Sequence, residues 1–224
     1  MASQNHPIRV VLFDVGGVLV EVSGVSTMLA WMGNRISPEE LWRMWLSSPV
    51  VRAFETGQTT PEVFAHQLIA EMALPVGADT LLEEFTRWTT GVFPGALELV
   101  GRVPRRYTRA TLCNSNALQW PRLMKDMRLA EAFDHHFASH LMGKIKPDEE
   151  VFHHVTRSLN CAPGEILFLD DNQLNIAAAK RVGMKATRVK GVAAAERALA
   201  EAGVLEIENR GLASLRAGNP MREG

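Results

Sequence analysis

Asp14 is the one aspartate in a mostly apolar run, "VVLFDVGGVLVEV" at residues 10–22, and two glycines follow it almost at once. Three further groups of chemically capable side chains lie along the chain: Cys113, Asn114 and Ser115 in "CNSN", Lys146 in "GKIKP", and the adjacent carboxylates Asp170 and Asp171. Taken singly, each has an ordinary explanation, since an aspartate at a strand end is most often a turn or cap residue. Lys146 before Pro147 would usually be a solvated lysine. Taken together, a strand-end carboxylate, a polar turn, a lysine and paired carboxylates make a site for a divalent cation and a phosphate. Hard oxygen ligands suit the cation, and amide and ammonium donors suit the phosphate.

Such a set works only if the fold makes it converge. "RVVLFDV" at 9–15 is β-branched, aromatic and almost wholly apolar, the pattern of a strand buried on both faces and so of a parallel sheet covered by helices. Similar runs return at "TRATLCN" (108–114), "HHFASH" (135–140), "EILFLDD" (165–171) and "KATRVK" (185–190). Helical stretches separate them: "PGALELVGRV", "ALQWPRLMKDMRLAEAF", "PDEEVFHHVTRSLN" and "NQLNIAAAKRVG", the last closed by Gly183 as a C-cap. This alternation predicts a doubly wound α/β domain. In such sheets the ligand crevice lies beyond the carboxyl ends of the strands, where all four groups fall.

Between 21 and 91 the character changes, with no strand-like run but several amphipathic segments. "PEELWRMWL", "PVVRAFETG", "TPEVFAHQLIAEMALP" and "ADTLLEEFTRWTTG" are the clearest, with Ser37 and Thr60 as N-caps and Pro38 and Pro61 at the first helical position. That predicts a helical insertion of about seventy residues directly after the first strand.

Composition narrows the function classes. In 224 residues, 46% are hydrophobic and the formal net charge is −1, so no global field draws the chain to nucleic acid or anionic lipid. Two cysteines and no secretory signature point to free thiols in the cytoplasm. The polar amino terminus and the short apolar run after it predict neither a signal peptide nor an anchor. Monomer and homodimer are both open.

The ordered set resembles the haloacid dehalogenase superfamily of aspartate-nucleophile hydrolases, over roughly residues 9–190. "LFDVGGVL", "TLCNSNALQW", "GKIKPDEEVF" and "LFLDDNQLN" are similar to its four motifs in order. Within it the chain looks most like subfamily IA, where a helical cap of the first type follows motif one. The nearest branch is that of the α-glucose-1-phosphate phosphatases, in which a glycine likewise follows the nucleophile by two residues. The resemblance implies a Rossmann-like core over 8–20 and 92–207, a helical cap domain over 21–91, and flexible tails at 1–7 and 208–224. It implies a Mg²⁺-dependent phosphatase of small phosphorylated metabolites, sugar phosphates foremost, with Asp14 carrying a transient aspartyl phosphate. Asp14, the main-chain carbonyl of Gly16, Asp170 and Asp171 would hold the metal, with Asp171 the direct ligand and Asp170 acting directly or through water. Lys146 would offset the carboxylates, and Cys113, Asn114, Ser115 and Lys146 would meet the phosphate.

Two departures keep other readings open. Catalytic members commonly carry a second Asp at the place of Gly16, a general acid-base worth about 10²- to 10⁴-fold. A sugar 1-phosphate needs that proton less, a water or a histidine or glutamate of the cap would have to replace it, or the protein binds phosphate and reacts poorly. Motif two usually has Ser or Thr where this chain has Cys113, a weaker donor. The alternatives are therefore a largely inactive phosphate-binding or regulatory homologue and a metal-independent 2-haloacid dehalogenase, though the latter lacks the paired carboxylate kept here. Trp31, Trp42, Trp45 and Trp88 are expected mostly in helix packing, His135–His136 and His153–His154 as structural or solvated, and Asn175 as support for the motif-four turn.

Overall fold

The computed structural model describes residues 7–206. Apart from Pro7, the expected flexible tails lie outside the described residues, as does Ile207, the expected last residue of the core. Strand β1 (Val10–Phe13) leads through Asp14 and the two glycines into β2 (Val20–Val22). Five helices follow: α1 (Gly24–Trp31), α2 (Pro38–Ser47), α3 (Pro49–Glu55), α4 (Pro61–Met72) and α5 (Ala78–Arg87). After β3 (Thr89–Val92) come α6 (Ala96–Arg102), β4 (Thr108–Cys113), a π-helical turn at Arg122–Asp126, α7 (Leu129–Ala132) and β5 (His135–Ala138). The last described elements are α8 (Ser139–Met142), α9 (Glu149–Ser158), β6 (Ile166–Asp170), α10 (Gln173–Val182), β7 (Lys185–Arg188) and α11 (Gly191–Glu201).

Five strands form one parallel sheet in the order β5-β4-β1-β6-β7, so β1 lies at its centre. All four β1 side chains are buried, which is why the run shows no polar alternation. Its even and odd positions feed two different cores, as the two-residue period of a strand requires. Val11 and Phe13 pack with Leu99 and Leu199 of α6 and α11, whereas Val10 and Leu12 pack with Val155 and Ile176 of α9 and α10. Helices therefore cover both faces, giving the doubly wound, Rossmann-like core. The register sets Phe13 beside both Thr111 and Leu169, so Asp14 emerges between the carboxyl ends of β4 and β6.

The helices of the insertion have a third core of their own, centred on Phe54, Phe64, Phe85 and Trp88. Phe54 and Phe64 stack at 4.2 Å between centroids. Their starts are chemically marked. Ser37 and Glu40 form a reciprocal capping box ahead of α2, and Thr60 accepts from the Val63 amide ahead of α4. Gly183 closes α10 in the left-handed conformation, at φ +98.

Three local expectations are corrected. The stretch 21–91 is not free of strand: β2 and β3 pair antiparallel as a ribbon at the two ends of the insertion. Neither segment is apolar enough to read as a strand, and its partner is some seventy positions away. The long helix expected over 117–133 is broken into a π-helical turn and the single turn α7, because Pro121 supplies no amide donor and Arg128 turns left-handed at φ +59. "HHFASH" is a strand only to Ala138; Ser139 begins α8. Among the described residues no helix is long and apolar enough to cross a membrane.

Candidate active site

The site is organised around a buried ammonium. Lys146 Nζ donates to Asp14 Oδ1 at 2.8 Å, to Asp170 Oδ2 at 2.7 Å and to the Leu112 carbonyl at 2.8 Å, and so joins the ends of β1, β4 and β6. Its three donors are thereby used. It also lies 5.5 Å from the centroid of the Phe168 ring. Burial works against its charge, but Asp14 and Asp170 outweigh that and hold it above the usual lysine range. Sequence alone makes such a lysine solvated; the fold buries it.

Asp14 and Asp170 differ in how much of each carboxylate is already engaged. Asp170 is fully buried and accepts from Lys146, from the Asn172 amide at 2.7 Å and from Asn175 Nδ2 on both oxygens. Asn175 thus supports the motif-four turn, and Asn172 caps α10 by accepting from the Leu174 amide. Asp14 has Lys146 as its side-chain partner and retains lone pairs for chemistry. Burial raises the Asp14 carboxyl most; Lys146 opposes this, Asp170 and Asp171 add to it, and the outcome is about 7. Asp171, more open, is raised by burial and by Asp170, with Lys146 pulling it down. Its main-chain carbonyl accepts from Arg188 Nε at 2.8 Å.

Carboxylate oxygens of Asp14, Asp170 and Asp171 come within 4.8 Å of one another. Three carboxylates share one buried ammonium, with Lys190 and Arg188 adding a weaker pull on Asp171, and their mutual repulsion is what a divalent cation would relieve. All three ligands are hard oxygen donors, so the residues present fit Mg²⁺.

The two glycines after Asp14 have different reasons to be glycine. Gly17 sits at φ +72, and a Cβ there would lie 2.3 Å from Asp171 Oδ2, so the chain passes against this carboxylate only without a side chain. Gly16 has ordinary backbone angles, and a Cβ would meet just Val22 Cγ2 at 3.2 Å. Space and backbone angle thus require glycine at 17, whereas at 16 a side chain would have to displace only Val22 slightly.

At the end of β4, the Asn114 side chain accepts from the Lys146 amide and donates to the Lys146 carbonyl, both at 3.0 Å. It clamps the loop that carries the lysine. Both of its functional groups are engaged there, although the resemblance directs them at the phosphate. Cys113 is buried, and its thiol is pushed up by burial first and then by Asp14, so it stays protonated and is no nucleophile at neutral pH. Ser139 Oγ accepts from the Ser115 amide and donates to the Ser115 carbonyl, both at 2.9 Å. The Ser115 hydroxyl, also buried, has no hydrogen-bond partner among the described residues.

Other polar and aromatic side chains have partners away from the strand ends. Arg109 pairs with Asp134, and Arg106 lies over the Tyr107 ring at 4.8 Å. Trp45 and Trp88 join the aromatic core of the insertion, while Trp42 is exposed. His136 contacts Thr111 Oγ1 within the sheet, and His135 is exposed. Cys161 lines a shallow depression with Thr156 and Glu165, at the amino end of β6 and so opposite Asp170. Sequence reasoning did not single out Gly17, Ser139 or, in the insertion, Glu55. Only the "GG" doublet carried a readable hint, a turn.

A model of the haloacid dehalogenase-like hydrolase family matches residues 8–183, which takes in Asp14, Cys113, Asn114, Ser115, Lys146, Asp170 and Asp171. The chain belongs to this family. Among curated relatives, it is 29% identical to a sesquiterpene phosphatase of Aspergillus oryzae over 182 residues, covering 79% of this chain and 87% of that one. It is 23% identical to the D-ribitol-5-phosphate phosphatase of Bacteroides thetaiotaomicron over 189 residues, covering 80% and 90%. Among solved structures, a family enzyme from Bacteroides thetaiotaomicron in complex with magnesium and inorganic phosphate aligns with a TM-score of 0.66 at 22% identity, covering 82% of this chain and 94% of that one. This haloacid dehalogenase-like hydrolase thus shares the fold of an enzyme that holds the two ligands its acidic site suits.

Proposed function

We propose that this hydrolase is a Mg²⁺-dependent phosphatase of small phosphorylated metabolites, sugar phosphates foremost, acting through an aspartyl phosphate on Asp14. The observation that carries the reading is the buried bridge from Lys146 to Asp14 and Asp170, set beside Asp171. It leaves one carboxylate uncommitted in a cluster whose charge calls for a divalent cation. Mg²⁺ held by Asp14, Asp171, the Gly16 carbonyl and, directly or through water, Asp170 would supply charge neutralisation for a phosphoryl oxygen. Asp170 has so many donors that positioning Lys146 and the following turn is its main work. Lys146 keeps Asp14 aligned and offsets charge as the phosphate enters. Cys113 and Ser115 line the motif-two side of the phosphate, and Asn114 acts on it through the loop it clamps.

In this reading the helical insertion, residues 21–91, is a type-1 cap that closes over the strand ends, and the family branch is the one that accepts an anomeric phosphate. The phosphatases among the relatives support the reaction class. The retained Asp170–Asp171 pair speaks against a metal-independent dehalogenase. A second reading, a phosphate-binding homologue with little turnover, is favoured by one observation: Gly16 carries no proton-transfer group, although a Cβ there would meet only the Val22 side chain. Phosphate release from a panel of sugar phosphates, an alkyl phosphate and an aryl phosphate, with Mg²⁺ and with chelator, decides between them. Metal-dependent turnover lost in Asp14→Asn supports the phosphatase. Binding of phosphate without turnover supports the second reading, and halide release from a 2-haloacid in chelator would replace both.

A further inference from the structure

The core of this site lacks a side chain able to hand a proton to a leaving group, and the insertion brings one to it. Glu55 is the last residue of α3, and the segment around it is fixed to the core beside Lys146 at two points. Arg52, one turn earlier, is ion-paired with Asp148, two residues beyond Lys146. Gly57, at φ +73, passes so close to α8 that a Cβ would lie 2.5 Å from the His140 carbonyl oxygen. Between these anchors Glu55 is partly buried, with the Trp45 indole of α2 within reach of its carboxyl, and its charge is felt by Lys146 and Cys113. Those are the residues that flank Asp14: Lys146 bonds it directly, and Cys113 ends the neighbouring strand.

We propose that Glu55 is the catalytic acid and base of this site, standing in from the helical insertion for the side chain that Gly16 lacks. This rests on the phosphatase reading. In the first half-reaction an Asp14 oxygen bonds to phosphorus as the ester P–O bond breaks, and the Glu55 proton goes to the departing oxygen, giving the alcohol. In the second, the Glu55 carboxylate takes a proton from water, whose oxygen bonds to phosphorus as the P–O bond to Asp14 breaks. Phosphate leaves, and both carboxyl groups return to their starting states. Burial raises Glu55 to about 7, with the Trp45 bond and Lys146 acting in the opposite direction, so both protonation states are populated near neutrality, as this cycle requires. The titratable and charged groups that bear on it are Lys146 and Cys113 of the core; Arg52 of its own helix is turned to Asp148, Glu71 of α4 is held by Ser48 at the far end of α3, and His140 of α8 meets the neighbouring Gly57 through its main chain.

The test compares the wild type with Glu55→Gln, which keeps the size of the side chain and its ability to accept from Trp45. On a primary alkyl phosphate, kcat/KM should fall about 10²- to 10⁴-fold, and the alkaline limb of the pH profile, where Glu55 loses its proton, should vanish while the acid limb of Asp14 remains. On 4-nitrophenyl phosphate, whose leaving group needs no proton, the first equivalent of nitrophenolate should still appear as a burst before turnover stalls for want of a base. Adding Gly16→Asp to Glu55→Gln should recover at least tenfold on the alkyl phosphate, which a merely structural role for Glu55 would not allow. Calorimetry with inorganic phosphate checks that the variant still folds and binds. The proposal is overturned if Glu55→Gln turns over alkyl phosphate like the wild type, or if it slows both substrates equally with no burst and no rescue. A wild type that binds phosphate and turns over nothing overturns the phosphatase reading itself, and this proposal with it.

Discussion

Replacing Lys146 with methionine keeps a buried stem of similar length and removes the charge. In the native protein the ammonium meets Asp14 and Asp170 at 2.8 and 2.7 Å, with its side chain 2% exposed. At an effective dielectric near 20, each contact is an attraction of roughly 6 kcal/mol, set against the cost of confining two carboxylates together. Losing one partner of a buried ion pair typically costs about 3–5 kcal/mol, because the other charge is left uncompensated. The variant should therefore be less stable than wild type by that amount at pH 8 in chelator. The loss has a definite pH dependence. Asp14, already raised to about 7 in the folded protein, rises further without its cation, while in the unfolded chain it stays near its ordinary 3.8. A carboxyl raised in the folded state leaves stability intact below its unfolded value and removes it as pH climbs through the folded one. The deficit should thus be largest at pH 8 and shrink toward pH 5, and millimolar Mg²⁺ should restore more stability to the variant than it adds to wild type. Urea denaturation across pH 5–8 measures this. A deficit below about 1 kcal/mol at pH 8, or one equally large at pH 5, would show that Lys146 is not what holds these carboxylates in place.

Three more measurements follow from the same geometry. Gly17→Ala should destabilise by more than about 1 kcal/mol, and Gly16→Ala by much less, since only the first meets a carboxylate at 2.3 Å and a left-handed backbone; equal denaturation midpoints would contradict this. Asp171→Asn should weaken Mg²⁺ binding with little loss of stability. Asp170→Asn, which disturbs bonds to Lys146, Asn172 and Asn175, should cost about 3 kcal/mol in folding, and calorimetry beside thermal melts would expose the reverse pattern. Glu55 rises from 4.5 to about 7 on folding, so its charge should cost stability progressively as pH increases across that window. Glu55→Gln should then be more stable than wild type by up to about 3 kcal/mol above pH 7 and indistinguishable below 4.5, and a gain that does not change with pH would place Glu55 in solvent.

The parallel core and the motif aspartates were legible in the chain because their causes are local. A strand buried on both faces must be apolar throughout, as "VVLF" is, and helix starts must satisfy free amides, as Ser37 and Thr60 do. Convergence at the strand ends follows from the α/β pattern, so Asp14, Lys146, Asp170 and Asp171 were identifiable as a set before any coordinate. The ribbon of β2 and β3 was not, since its strength lies in pairing two weak segments across the whole insertion. Nor was the break at Pro121 placed correctly, because apolar periodicity continued through it.

The sequence by itself determined which residues are present and, through their order, that the strand-end carboxylate Asp14 is followed two residues on by a glycine in place of a second carboxylate. Tertiary structure alone decided how each is used. Asn114 spends both amide groups on the Lys146 loop, Asp170 fills its oxygens with donors, and the second glycine makes room for Asp171. Glu55 is an unremarked helix-end residue in the chain; only the docking of Arg52 on Asp148 and Gly57 on His140 carries it to Lys146. The physical reason is common to all four. Residue type sets what a group can donate, accept or ionise, whereas its free valences and its charge depend on neighbours that the chain brings together from far apart.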